Sequence, residues 1–89
     1  MSDEDYRLLQ LALLLKPDKG AIIRGGGGVR KMRWSLPGQG KRGGARVIYY
    51  WSPRHAAIIM LWMYRKNEQE DLTKDQLKRL RQVVEAEYK

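Results

Sequence analysis

From Lys19 to Asn67 the chain contains no Asp or Glu, yet it carries Lys19, Arg24, Arg30, Lys31, Arg33, Lys41, Arg42, Arg46, Arg54, Arg65 and Lys66. One chemistry is open to such a set. Cutting RNA by internal attack of a 2′-hydroxyl needs a base, a proton donor for the leaving 5′-oxygen, and positive charge on the pentavalent phosphorane. Arginine supplies only the last, because it stays protonated. Lysine serves as the base where crowding by other cations lowers its pKa, and this stretch provides the crowding. Tyrosine contributes a proton. Lys31, Lys41 and Lys66, with Arg33, Arg46, Arg65 and Tyr64, therefore form a sufficient toolkit with no metal and no histidine. The same residues equally suit a passive RNA binder, so composition leaves enzyme and binder level.

The flanks behave differently. They hold the other 7 basic residues and all 10 acidic ones, a net of −3 against +11 in the middle, which restores the formal +8 of the whole chain. Segregation of this kind marks a polyanion-binding surface rather than a mixed solubility surface. It requires the cations to converge on one concave side of the molecule and grip a ribose-phosphate backbone.

Three tryptophans and five tyrosines, with no phenylalanine, are interleaved with the cations. Aromatics beside Lys and Arg can stack bases while phosphates are neutralised. Trp34 alternates with Met32 and Leu36, and Tyr49 and Trp51 share a face with Val47, so these three read as core. Tyr50 lies on the face of Arg46 and Tyr64 on that of Lys66, which makes them the candidates. Arg30, Arg33, Arg42, Tyr50 and Arg65 are expected to bind RNA, and Lys31, Lys41, Arg46, Tyr64 and Lys66 to carry the reaction. Residues 38–43, GQGKRG, match the dinucleotide fingerprint G-x-G-x-x-G. The match fails on context, since a β-branched run follows and Ile58 stands where an acid is needed. Lys41 is followed by Arg42, which excludes a Walker loop, and no cofactor is expected. The glycines give Lys41 and Arg42 mobility to settle around phosphates while a strand holds Arg46. Gly25–Gly28 reads as a hinge. Without cysteine there is neither a disulfide framework nor a thiolate metal site, which fits a reducing cytosol. His55, in the turn after Pro53, cannot build a zinc site alone.

An 89-residue chain is one small domain. Ser2 and Asp5 form a capping pair for a helix running to about Lys16, ended by Pro17, whose dense leucines predict packing on two sides. Ala21–Arg24 is a short strand, and residues 29–36 alternate as a second. Residues 37–44 are a loop. Residues 45–51, ARVIYYW, are the strongest strand, and the apolar run 56–64 reads as a central strand covered on both faces. Thr73 and Gln76 form a capping box for a helix from Lys74 to about Tyr88, which turns Leu77, Leu80, Val84 and Tyr88 inward. Short links make the strands antiparallel. The fold class is α+β: a small curled antiparallel sheet of three to four strands, with an N-terminal and a C-terminal helix on one face. No signal peptide or membrane span is expected, because residues 8–15 are too short and follow acidic residues.

The stretch GKRGGARVIYYW, an apolar strand ending in YRKNE (64–68), and GGVRKMRW ahead of the loop together resemble the HigB branch of the RelE/ParE toxin superfamily. The resemblance spans nearly the whole chain. It implies a cytoplasmic bacterial toxin of a toxin–antitoxin pair that enters the A site of the 70S ribosome and cuts mRNA there. It also implies inactivation by a cognate antitoxin of the HigA-like, helix-turn-helix kind. Carried over by position, the phosphate-binding arginine of the third strand corresponds to Arg46. The basic residues of the preceding strand and loop correspond to Lys31, Arg33, Lys41 and Arg42, and the lysine of the Y-x-K-N-E signature is Lys66. Tyr88 corresponds to a C-terminal tyrosine found in some relatives. Relatives usually begin with a further strand and helix, which leaves a sheet edge and part of the core open here; a shortened form, a replacement strand recruited from a partner, or a dimer is expected. Two other functions remain open: a noncatalytic RNA- or ribosome-binding domain, and a gyrase inhibitor of the ParE type on the same scaffold.

Overall fold

The computed structural model describes residues 3–35 and 44–88. The expected capping role of Ser2, the loop after residue 36, and Leu36, Lys41 and Arg42 themselves lie outside those residues. The chain runs α1 (Asp3–Leu15), β1 (Ala21–Ile22), β2 (Val29–Trp34), β3 (Ala45–Ser52), β4 (Ala57–Arg65) and α2 (Lys74–Glu87). The strands form one antiparallel sheet in the order β1-β2-β3-β4. The sheet is open and uncurled, not curled as the sequence suggested. The α+β class and the number of strands stand as expected. Among the described residues no helix is long and apolar enough to cross a membrane.

The helices occupy opposite faces of the sheet, which corrects the expectation that both lie on one. Leu9 and Leu13 of α1, one helical turn apart, are fully buried and pack with Met32, Val47 and Tyr49. Val84 of α2 is fully buried with Val29, Ile48, Tyr50 and Tyr64, and Leu77, Leu80 and Tyr88 pack against that second cluster. Successive β3 residues thus serve different layers, as the two-residue period of a strand demands. Both of its faces are covered. Among the described residues β2 and β3 are therefore the interior strands, whereas β4 stands at the sheet edge with most of its residues only half-buried.

Local chemistry explains the ends of the elements. Asp3, Glu4 and Asp5 in the first turn of α1 suit the positive end of its dipole. Pro17 disfavours helical geometry at Lys16, so the helix stops at Leu15. Only one stripe of α1 is packed, contrary to the two-sided packing expected. Leu8, Leu11, Leu14 and Leu15 remain 47%, 48%, 60% and 84% exposed. The turn after α1 is stitched to the sheet by Tyr49, whose hydroxyl donates to the Pro17 carbonyl at 2.7 Å and accepts the Gly20 amide at 2.8 Å. A Cβ on Gly20 would lie 2.7 Å from the Tyr49 ring and 2.8 Å from the Lys31 carbonyl oxygen, so only glycine fits. The segment read as a hinge is instead a turn closing β1 onto β2, with Gly25, Gly27 and Gly28 all at positive φ. In α2 the capping box forms as the sequence indicated: the Gln76 amide donates to Thr73 Oγ1 at 3.1 Å, and the Thr73 amide donates to Gln76 Oε1 at 3.0 Å.

Candidate nucleic-acid interface

Register decides which cations meet. Arg33 of β2 faces Arg46 of β3, and Arg46 faces Tyr64 of β4. Residues directly opposite share a sheet face, so these three side chains form a row across three strands. Lys66 follows the end of β4. Arg33, Trp34, Ser35, Gly44, Ala45, Arg46, Lys66 and Asn67 line a groove of about 770 Å³ at that end of the sheet. Like charges set side by side are costly unless an anion joins them, so two arginines opposite one another with a lysine at the rim suit a phosphate.

Lys31 lies on the same face two residues from Arg33, but its ammonium is engaged. It donates to Asp71 Oδ2 at 3.1 Å. Asp71 sits in the segment between β4 and α2 and escaped the sequence reading. Its carboxyl is held below the usual carboxylate range, first by the Leu72 amide, which donates to Oδ1 at 2.8 Å, and further by Lys31 and Arg46. Burial raises the Tyr64 phenol above its ordinary pKa; the Asp71 charge adds to that rise and Arg46 opposes it. Tyr64 thus stays protonated, able to donate and unfit as a base. Its hydroxyl and the indole nitrogen of Trp34 are buried with no hydrogen-bond partner among the described residues. An alternation of charge could not have revealed Asp71. The signal, if any, was that the first carboxylates after the basic stretch follow Lys66 within a few residues.

Other candidates go elsewhere. Arg30 is on the α1 face, where its guanidinium donates to the Gly20 carbonyl at 2.7 Å and the Asp18 carbonyl at 3.5 Å. Arg65 faces Ala45, one residue out of phase with Tyr64, and so points to the side opposite Arg46. Arg54 lies beyond the other end of β3. The cations therefore do not all converge on one side, because alternation along each strand distributes neighbours to opposite faces. Tyr50 shares the face of Arg46 but is buried against Val29 and Val84, in the α2 core, away from the groove. His55 is exposed in the β3–β4 turn, with its Nδ1 2.8 Å from the buried Ser52 hydroxyl.

Fold and groove together define a small α+β domain whose helices sandwich an open sheet and leave a cationic cleft at one end. The family model described as RelE toxin of RelE / RelB toxin-antitoxin system matches residues 10–88. The chain belongs to that family: it is a toxin of a toxin–antitoxin system, and an antitoxin is its partner.

Proposed function

We propose that the chain is a ribosome-dependent endoribonuclease of the HigB-like kind, cutting translated mRNA in the A site of the 70S ribosome. The observation that carries this reading is that Arg33, Arg46 and Lys66 line one groove, with Tyr64 buried opposite Arg46 in the same row. In the reaction, a ribose 2′-hydroxyl loses its proton and attacks the adjacent phosphorus, the bond from phosphorus to the 5′-oxygen breaks, and that oxygen takes up a proton. A 2′,3′-cyclic phosphate and a free 5′-hydroxyl result. Arg33 and Arg46 hold the phosphate and offset the charge that builds on its oxygens, a role needing no metal. The neutral Tyr64 phenol keeps a proton beside Arg46, but its hydroxyl is buried behind the groove. Giving that proton to the leaving oxygen would require its side chain to turn outward. Lys66, on the groove, is better placed for the base than Lys31, whose ammonium is held by Asp71. Lys41 and Arg42 would add further phosphate contacts. The partner is a HigA-like antitoxin carrying a helix-turn-helix, and the pair works in the cytoplasm.

The test is a translation extract with a defined mRNA. Wild type is expected to produce cuts in register with codons; Arg46→Ala and Lys66→Ala are each expected to lose about a hundredfold or more of that activity, the usual loss when one preorganised charge donor is removed. Undisturbed translation with intact mRNA would refute the reading. Binding of RNA without cleavage would instead favour the noncatalytic domain. Inhibition of gyrase with undisturbed mRNA would favour the ParE-type function.

A further inference from the structure

The chain leaves β4 at Arg65 and enters α2 at Lys74, and between these points it crosses the sheet to bring Asp71 to Lys31 of β2. That contact lies two strands from β4, about 9.6 Å at the usual spacing of neighbours. Leu72 packs against the cluster that holds Ile48 and Tyr64, so the crossing covers that layer. Several of its polar contacts are local and travel with it. Gln69 Nε2 donates to the Asp71 carbonyl at 2.8 Å and to Gln76 Oε1 at 3.0 Å, and the Glu68 amide donates to the Arg65 carbonyl at 2.9 Å. The Lys31–Asp71 pair is different: it spans forty residues and ties the crossing to the sheet. Gln69 and Leu72 aside, residues 66–73 are exposed. Under them Tyr64 is 5% exposed, and its hydroxyl has no partner among the described residues. An unmet buried hydroxyl works against the closed form, and admitting water would relieve it.

We propose that residues 66–73 are a strap, latched by Asp71 on Lys31, which a phosphate of bound RNA unlatches so that the Tyr64 hydroxyl opens to the cleft. This rests on RNA occupying the groove, as argued above. Lys31 and Arg33 share a face two residues apart, about 6.7 Å along the strand. A backbone held by Arg33 and Arg46 therefore brings a neighbouring phosphate within reach of the Lys31 ammonium, where it competes with the Asp71 carboxylate. The competition is winnable, because both side chains of the pair are partly exposed, at 34% and 60%, and such pairs hold weakly. With the latch released, the local contacts keep the strap in shape while it lifts from Tyr64. Exposure of the phenol then follows from occupancy of the cleft, which keeps the proton donor covered until substrate is bound.

Nitration of Tyr64 by tetranitromethane, located by peptide mass spectrometry, reads the opening. Tyr49, fully buried in the other layer, is the reference for global unfolding. In the free protein, Lys31→Ala and Asp71→Asn should each raise the rate at Tyr64 by up to about fivefold, the worth of an exposed ion pair, with Tyr49 unchanged. Exchanging the partners, Lys31→Asp with Asp71→Lys, should restore the wild-type rate. A rate at Tyr64 that neither single variant moves, or that rises in step with Tyr49, would overturn the proposal. A short 2′-O-methyl RNA, which lacks the attacking hydroxyl and stays intact, tests the trigger. Its binding to wild type should quicken hydrogen exchange at the amides of residues 69–72, and unchanged or slower exchange would equally overturn the proposal. Absence of cuts by wild type in the translation extract bears on the nuclease reading alone, since none of these measurements depends on cleavage.

Discussion

Asp71 is the only carboxylate found touching the cationic face among the described residues, and replacing it by Asn isolates its charge. The Asn oxygen can still accept the Leu72 amide, so the local turn is kept. At the 3.1 Å separation of Lys31 and Asp71, Coulomb's law gives about 1.3 kcal/mol in bulk water and about 5 kcal/mol at the effective dielectric of a protein surface. The side chains are 34% and 60% exposed, so solvent and side-chain entropy remove most of this. Folding should lose about 0.2–1 kcal/mol, the measured range for such pairs. RNA binding should move the other way. Freed of its counter-charge, Lys31 becomes available to one more phosphate, and the slope of log affinity against log salt should steepen by about 0.7 on a single strand. An energy of that same size corresponds to a gain of up to about fivefold at low salt. Fluorescence anisotropy with a short single-stranded RNA across a salt series measures both quantities, and Lys31→Ala/Asp71→Asn should show no gain. A single variant matching wild type in affinity and slope would refute the picture of Asp71 as a brake on the groove. The same pair gives a pH dependence. Because the folded pKa of Asp71 is depressed, its contribution to stability is present above the unfolded carboxylate pKa and is lost as pH falls through the folded value. Wild type and Asp71→Asn should therefore converge in stability in acid.

Three more outcomes are expected. Tyr49→Phe removes both bonds of the stitch and leaves the buried Gly20 amide unpaired, costing about 1–3 kcal/mol in urea unfolding, or roughly 4–8 °C of Tm for each kcal/mol in a domain this small. Thr73→Ala opens the capping box of α2 and should cost about 1 kcal/mol by the same measurement. Tyr64 has a folded pKa raised first by burial, so the stability it contributes is complete below the unfolded phenol pKa and disappears as pH climbs through the folded one. Burial raises the Tyr49 phenol too, so absorbance titration should show late tyrosinate transitions of two residues, of which Tyr64→Phe removes one.

Strong local signals in the sequence were reliable guides to the elements. The capping box at Thr73, the alternation through Met32 and Arg33, and the β-branched and aromatic run of β3 each specify their own backbone. Placement across the sheet was less legible, because it depends on neighbours distant in sequence. The strand β4 is apolar enough to read as central, yet which strand has two neighbours is a matter of topology. Register adds a second difficulty. Ile48 faces Trp62 while Tyr49 faces Met60, so Leu61 is an extra residue in β4. Simple alternation would put Met60 on the face of Trp62 and Tyr64, but the insertion returns it to the layer of Leu9 and Leu13. The row Arg33–Arg46 follows from alternation and antiparallel pairing, and was within reach. Asp71 was not, since nothing local brings an acid forty residues downstream back onto Lys31.

The way β3 divides its residues between two layers has a consequence for how the protein can vary. Val47 and Tyr49 fill one layer while Ile48 and Tyr50 fill the other, and Arg46 belongs to the second. A substitution at one of these positions disturbs a single layer. Deleting one residue between Arg46 and Tyr50 would exchange the two sets and carry the guanidinium through to the α1 side. The frame of this strand is what keeps the cation at the cleft, so lineages of this chain should tolerate a conservative swap within one layer of β3 better than a change of its length.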